Sequence, residues 1–135
     1  MHSYNYTPGN YRATCVFVHD ACLADFFVDL GFNNYTIMRI KLTGICCDYD
    51  ARTKGERIRA DAAKKYAIEM LRPPSIRDMV SLAYWPCELR NVKPDALDAT
   101  VWCGEVWVFN GINSDKPTCL NMALIRSELV EEDVP

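Results

Sequence analysis

Residues 24 to 45, ADFFVDLGFNNYTIMRIKLTGI, decide the fold. ADFFVD leads into Leu30-Gly31-Phe32 and then Asn33-Asn34, where glycine and asparagine tolerate the positive φ of a tight turn. Beyond that turn, Met38, Ile40 and Leu42 fall on one face of a strand and Arg39, Lys41 and Thr43 on the other. The stretch is a hairpin with one apolar and one polar wall, which suits the side of a barrel.

Upstream, YRATCVFVH (11 to 19) is rich in β-formers and follows the loop residues Pro8-Gly9-Asn10, so it is expected to be the first strand. Downstream, the period changes at Lys54. Ile58, Ala62, Tyr66 and Met70 recur every four residues beside Ala63 and Ala67, the inward stripe of an amphipathic helix that Pro73-Pro74 ends. MVSLAYW (79 to 85) predicts a fourth strand stopped by Pro86, and 86 to 99 a connecting loop. TVWCGEVWVF (100 to 109) predicts a fifth strand closed by Asn110-Gly111. A second helix is expected from Thr118 as N-cap, with Leu120, Ala123, Leu124 and Ile125 inward. Three strands, a helix, two strands and a helix describe a β-rich α+β fold, and the five-stranded OB-type Greek-key barrel is threaded this way. Several other α+β folds share the element count.

The chain has 135 residues, natural for one domain, with an arm over 1–10, a folded unit over 11–130 and an acidic tail over 131–135. No apolar run approaches the roughly 18 residues that cross a bilayer, so a soluble protein without a membrane role is expected. The opening MHSYNYTPGNY has neither the basic start nor the apolar run of an export signal, which points to the cytoplasm. Seven cysteines form an odd set. In a reducing setting Cys15, Cys87 and Cys119 are expected to be buried thiols. A formal charge of −3 excludes a surface that attracts nucleic acid everywhere, but not a local patch.

Together, HDACLADFFVDLGF (19 to 32) and MRIKLTGICCDY (38 to 49) resemble the motifs DGDT, DLGF and RLRLAGIDTPE of the staphylococcal-nuclease-like (thermonuclease) family. KGERIRADAAKKYAIEML (54 to 71) looks like that family's first helix, GEVWVF (104 to 109) like its ADVWV strand, and CLNMALIRSEL (119 to 129) like its SLNELLVREGL helix. The resemblance implies an OB barrel packed on two helices, with the terminal third helix shortened or absent. It makes a phage-encoded protein plausible, in a host cytoplasm or a virion.

It also implies a site from which the chemistry has been removed. Such nucleases hold calcium with carboxylates, use a glutamate on the attacking water, and neutralise the pentacoordinate phosphate with two arginines. Position by position, Asp20 matches the first acid, while Cys22 and Cys46 fall on the metal aspartates. Lys41 falls on the first arginine, Tyr49 on the glutamate and Val101 on the second arginine. A lysine cannot make the planar two-bond grip of a guanidinium, and a valine makes no polar contact. A short slip would bring in Asp48 or Asp50 as acids and Arg39 in place of Lys41. No catalytic residue, metal or cofactor is therefore expected. Three readings of the thiols stay open: small fillers of a vacated site, a Cys22–Cys46 disulfide, or a soft-ion site for Zn2+ from Cys22, Cys46, Cys47 and Cys103 in place of Ca2+.

The resemblance thus implies a binding or structural module whose most natural partner is a protein or assembly neighbour. An altered metal-dependent phosphodiesterase and a single-stranded nucleic-acid binder are the alternatives. For contacts, the sequence offers Arg52, Lys54, Arg57 and Arg59 in the basic segment 52 to 72, set against its reading as a solvated helix face. It also offers Trp102 and Trp107 on the fifth strand, set against core packing.

Overall fold

A computed structural model of the chain describes residues 7–46, 53–73, 85–109 and 116–132. The elements are β1 (Tyr11–Asp20), β2 (Leu23–Gly31), β3 (Asn34–Leu42), β4 (Ile45–Cys46), α1 (Lys54–Leu71), β5 (Cys87–Pro94), β6 (Trp102–Val108), β7 (Thr118–Cys119), α2 (Leu120–Arg126) and β8 (Glu131–Glu132). The main sheet runs β3-β2-β1-β5-β6-β7, and β3 also pairs with β6, so five strands close on themselves. All the closing pairs are antiparallel except β3 with β6, which is parallel with Lys41 opposite Cys103. This is an OB-type barrel with two helices in a β-rich α+β fold, as the element order predicts.

Alternation builds the wall. In β3, Met38, Ile40 and Leu42 are buried while Arg39 is exposed and Lys41 half-buried, as expected from the pattern. Phe26 and Val28 of β2, Leu89 of β5 and Val106 of β6 complete the interior. The β2–β3 turn bends through Gly31 at φ 89°, Phe32 at 52° and Asn33 at 60°. The buried carboxylate of Asp29 accepts the Gly31 N–H at 2.9 Å, and this bond closes the DLGF turn.

The fourth barrel strand is Cys87–Pro94, inside the segment expected to be a loop. Residues 79 to 84 lie outside the described residues, and Trp85 is not in a strand. Period-two burial explains the correction. Cys87 and Leu89 point inward, Glu88 and Arg90 outward, and Pro86 and Pro94 bracket the strand where no ladder N–H is needed.

Helix α1 starts with a capping box: Thr53 Oγ1 accepts the Glu56 N–H at 3.1 Å and the Glu56 carboxylate accepts the Thr53 N–H at 3.3 Å. It ends at Leu71, before Pro73, with Arg72 in the left-handed region. Its inward stripe is turned from the expected one. Ala63, Ala67 and Leu71 are buried, Ala62 is exposed and Ile58 is 60% exposed. Small alanines let the helix approach β1 and α2 closely, which moves Tyr66 and Met70 to the flank.

The second helix begins one residue later than expected: Thr118 pairs with Val108 in β7, and Cys119 is the N-cap residue. Leu120 and Leu124 face inward as expected, joined by the polar Asn121. Glu131–Glu132 pairs with Ile45–Cys46, so the first residues of the acidic tail are part of a two-stranded sheet. Cys15, Cys87 and Cys119 are buried free thiols, as their apolar neighbours predict. Burial pushes the Cys15 thiol up to about 12 and raises that of Cys87 as well.

Candidate functional site

The family-like positions lie where β1 turns into β2, at the end of β3 and at the start of β6. Asp20 ends β1, and its Oδ1 accepts the Ala21 N–H at 2.7 Å, so this carboxylate shapes its own turn. Cys22 is 1% exposed and disulfide-bonded, and its carbonyl accepts the Leu42 N–H at 2.9 Å. A sulfur in a disulfide is not a thiolate, which corrects two of the three readings of Cys22: it is neither a free filler nor a zinc ligand. Its pairing partner lies beyond the described side chains. Cys46 is placed by its backbone in β4, and Cys47, Asp48, Tyr49, Asp50 and Arg52 lie outside the described residues. Val101 is 8% exposed and held in a turn, its N–H on Asp98 O at 3.2 Å and its carbonyl accepting from Asp95 N–H at 3.0 Å. No group of three His, Cys, Asp or Glu side chains able to hold a metal occurs among the described residues.

Lys41 points to the outer wall, with Nζ 4.0 Å from Asp95 Oδ1. The same oxygen accepts from Cys103 Sγ at 3.1 Å. The Cys103 thiol is pushed up to about 11, first by burial and then by Asp95, with Lys41 and Lys93 pulling the other way. It is therefore protonated and a weak nucleophile at neutral pH. The hydrogen bond from Cys103 is the chief reason the Asp95 carboxyl sits below its ordinary value, helped by the N–H groups of Leu97 and Asp98. Asp98 is lowered too, chiefly by the Thr100 hydroxyl and N–H. The β5–β6 connection is thus a self-satisfied acidic turn beside Lys41.

One strand over, Asp25 is gripped from both sides: Arg39 Nε donates to Oδ1 at 2.9 Å, and His19 Nε2 lies 2.8 Å from Oδ2. Burial pushes the Asp25 carboxyl up, but hydrogen bonds from Arg39 and His19 and their charges outweigh it and hold the group below the usual carboxylate range. The sign follows from a folded value below the unfolded one. The stabilisation is complete above the ordinary carboxylate pKa and is lost as pH falls through the lowered folded value. Replacing Arg39 by alanine should raise the Asp25 pKa in a carboxyl NMR titration; an unmoved midpoint would show that His19 alone sets it.

Aromatic side chains cover the neighbouring wall. Phe27, Tyr35 and Trp85 lie parallel, with ring centroids 5.5 to 6.1 Å apart, and the Arg12 guanidinium sits 5.2 Å above Trp85. Phe17 and Ile37 are 55% and 61% exposed. Trp102 is 37% exposed at the barrel end, whereas Trp107 is covered by Arg90 at 4.2 Å and donates from Nε1 to Glu105 at 3.1 Å. Of the two tryptophans, Trp102 has the freer ring. Lys54 and Arg57 are exposed on α1. Arg59 is committed within the fold: Nε donates to Glu128 O at 2.9 Å, and a terminal nitrogen lies 3.9 Å from Glu131.

No protein-family model and no curated protein matches this chain. The functional reading therefore rests on the site itself. The structure brings Lys41 and Cys103 together and sets both in the same outer wall as Arg39. Sequence reasoning missed Asp25, His19 and Asp95. A parity count of β2 against β3 would have put Asp25 opposite Arg39, whereas the meeting of Asp95 with Lys41 needs barrel closure.

Proposed function

We propose that the chain is a nuclease-like OB barrel without phosphodiester hydrolysis, acting as a binding or assembly module whose partner is a protein. The observation that carries this reading is the chemistry of the outer wall: apolar Phe17, Tyr35 and Ile37 are exposed there, while the cations beside them are already spent on acids. Arg39 is paired with Asp25, and Lys41 is near Asp95. A nucleic-acid surface needs cations free to replace counterions, whereas a protein interface favours aromatic and aliphatic area with charges at its rim.

The remnant positions support the same reading. Loss of one electrostatic stabiliser commonly costs about 10²–10³ in rate, and Cys22, Lys41 and Val101 each depart from what the reaction requires. Purified protein incubated with single-stranded DNA, duplex DNA and RNA in calcium, magnesium or zinc should leave all three intact. It should also show no affinity that falls steeply with salt. Cleavage that disappears in Lys41→Ala, or retention on nucleic acid with a steep salt slope, would overturn the reading.

A further inference from the structure

Among the described residues, the first half of one edge of β3 is left without a partner strand. Leu42 N–H bonds to Cys22 O at 2.9 Å, and the β2–β3 register is unshifted from Leu23↔Lys41 to Asp29↔Tyr35. By the alternation of an antiparallel ladder, even-numbered β3 residues bond to β2, while Tyr35, Ile37 and Arg39 aim N–H and C=O the other way. On that side the β6 ladder runs along Ile40 to Leu42 and continues in the Thr43 N–H bond to Gly104 O. Among the described residues no strand pairs there with Tyr35 to Ile37.

Proteins ordinarily blunt such an edge with lysine, proline or a bulge. Here the residues aimed along it are Tyr35, 45% exposed, and Ile37, 61% exposed. From Asn33 to Met38 the chain carries no charge, although its net charge is −3. Two copies would therefore meet at a patch that does not repel itself.

We propose that a second copy of this chain docks on that edge, β3 antiparallel to β3, with Thr36 facing Thr36 of the second copy at the two-fold axis. Backbone parity requires odd residues to face odd residues, and this register sets Tyr35 against Ile37 of the second copy twice over. Aromatic against β-branched side chains across a strand pair, and threonine against threonine, are both favourable. A register centred on Ile37 would set Tyr35 against Arg39, which is already bound to Asp25 and is followed along the edge by β6. The contact is isologous, so it closes as a dimer and does not propagate. It also extends the aromatic wall of one barrel into that of the next.

The proposal rests on the assembly reading above. A monomer that leaves nucleic acid intact would remove the dimer and leave that reading standing. Full-length protein in sedimentation or light scattering should show twice the chain mass, falling to the single-chain mass in Ile37→Lys, with Tyr35→Lys as the second variant if the first does not melt cooperatively. Under mild oxidation Thr36→Cys should give a covalent dimer, and Glu69→Cys, on α1, should not. A wild-type monomer at every concentration overturns the proposal, as does a dimer indifferent to both lysine variants. A dimer weakened by lysine but not cross-linked through position 36 has another register, which overturns the one assigned.

Discussion

Replacing Asn121 by leucine is expected to lower the unfolding free energy by about 2–4 kcal/mol, although leucine is the more apolar residue at a buried place. Asn121 is 4% exposed. Its Oδ1 accepts the Val106 N–H at 3.0 Å, and its Nδ2 donates to Thr43 O at 2.8 Å and Gly104 O at 3.3 Å. One side chain on α2 thus satisfies backbone on both strands of the parallel β3–β6 seam. Thr43 N–H also bonds to Gly104 O at 2.9 Å, so Gly104 keeps a partner and the loss falls on the Val106 N–H and the Thr43 carbonyl. Gly104 has no side chain to hold these groups apart, and an added Cβ would meet Val92 Cγ2 at 3.2 Å. Urea unfolding should show a lower midpoint at an unchanged slope. A change smaller than about 0.5 kcal/mol would mean that water or backbone repacking satisfies the seam without Asn121.

Replacing Arg12 by alanine should cost about 3 kcal/mol, more than replacing its partner Asp29 by asparagine. Arg12 Nε donates to Asp29 Oδ2 at 2.6 Å, with Arg12 32% and Asp29 only 2% exposed. The pair is asymmetric. Without Asp29 the guanidinium still reaches water and the Trp85 ring, but without Arg12 the carboxylate stays buried and has lost its countercharge. Asparagine also keeps an oxygen for the Gly31 N–H, so the β2–β3 turn survives Asp29→Asn. Thermal melts of the two variants rank them. Equal losses would show that the buried Asp29 carboxylate is compensated without Arg12, so that the pair is not asymmetric. Because β2–β3 is also the proposed docking strand, Arg12→Ala should weaken any dimer through the fold, without touching the edge itself.

Part of the site was legible along the chain and part was not. The alternation of Met38, Ile40 and Leu42 with Arg39 and Lys41 orients β3, so the outward aim of both cations follows from period two alone. What those cations face was not legible. Asp95 is more than fifty positions from Lys41 and approaches it only because β6 pairs with β3. The same holds for Cys22, whose oxidation depends on a sulfur brought near by folding.

By itself the sequence determined the β2–β3 hairpin, the first and fifth barrel strands, the proline-bounded end of α1, and the burial of Cys15, Cys87 and Cys119. These follow from local period, turn chemistry and side-chain polarity, which act between near neighbours. Tertiary structure alone decided that Cys87–Pro94 is a strand, because its outward Glu88, Arg90 and Lys93 mask a pattern that only pairing with β1 and β6 stabilises. It also decided that the inward stripe of α1 centres on Ala63 and Ala67 and leaves Ile58 and Ala62 outside, since the closest approach of a helix is set by the surface it meets. And it left β3 with a half-covered edge, because in a closed barrel the length of strand overlap is a property of the whole ring.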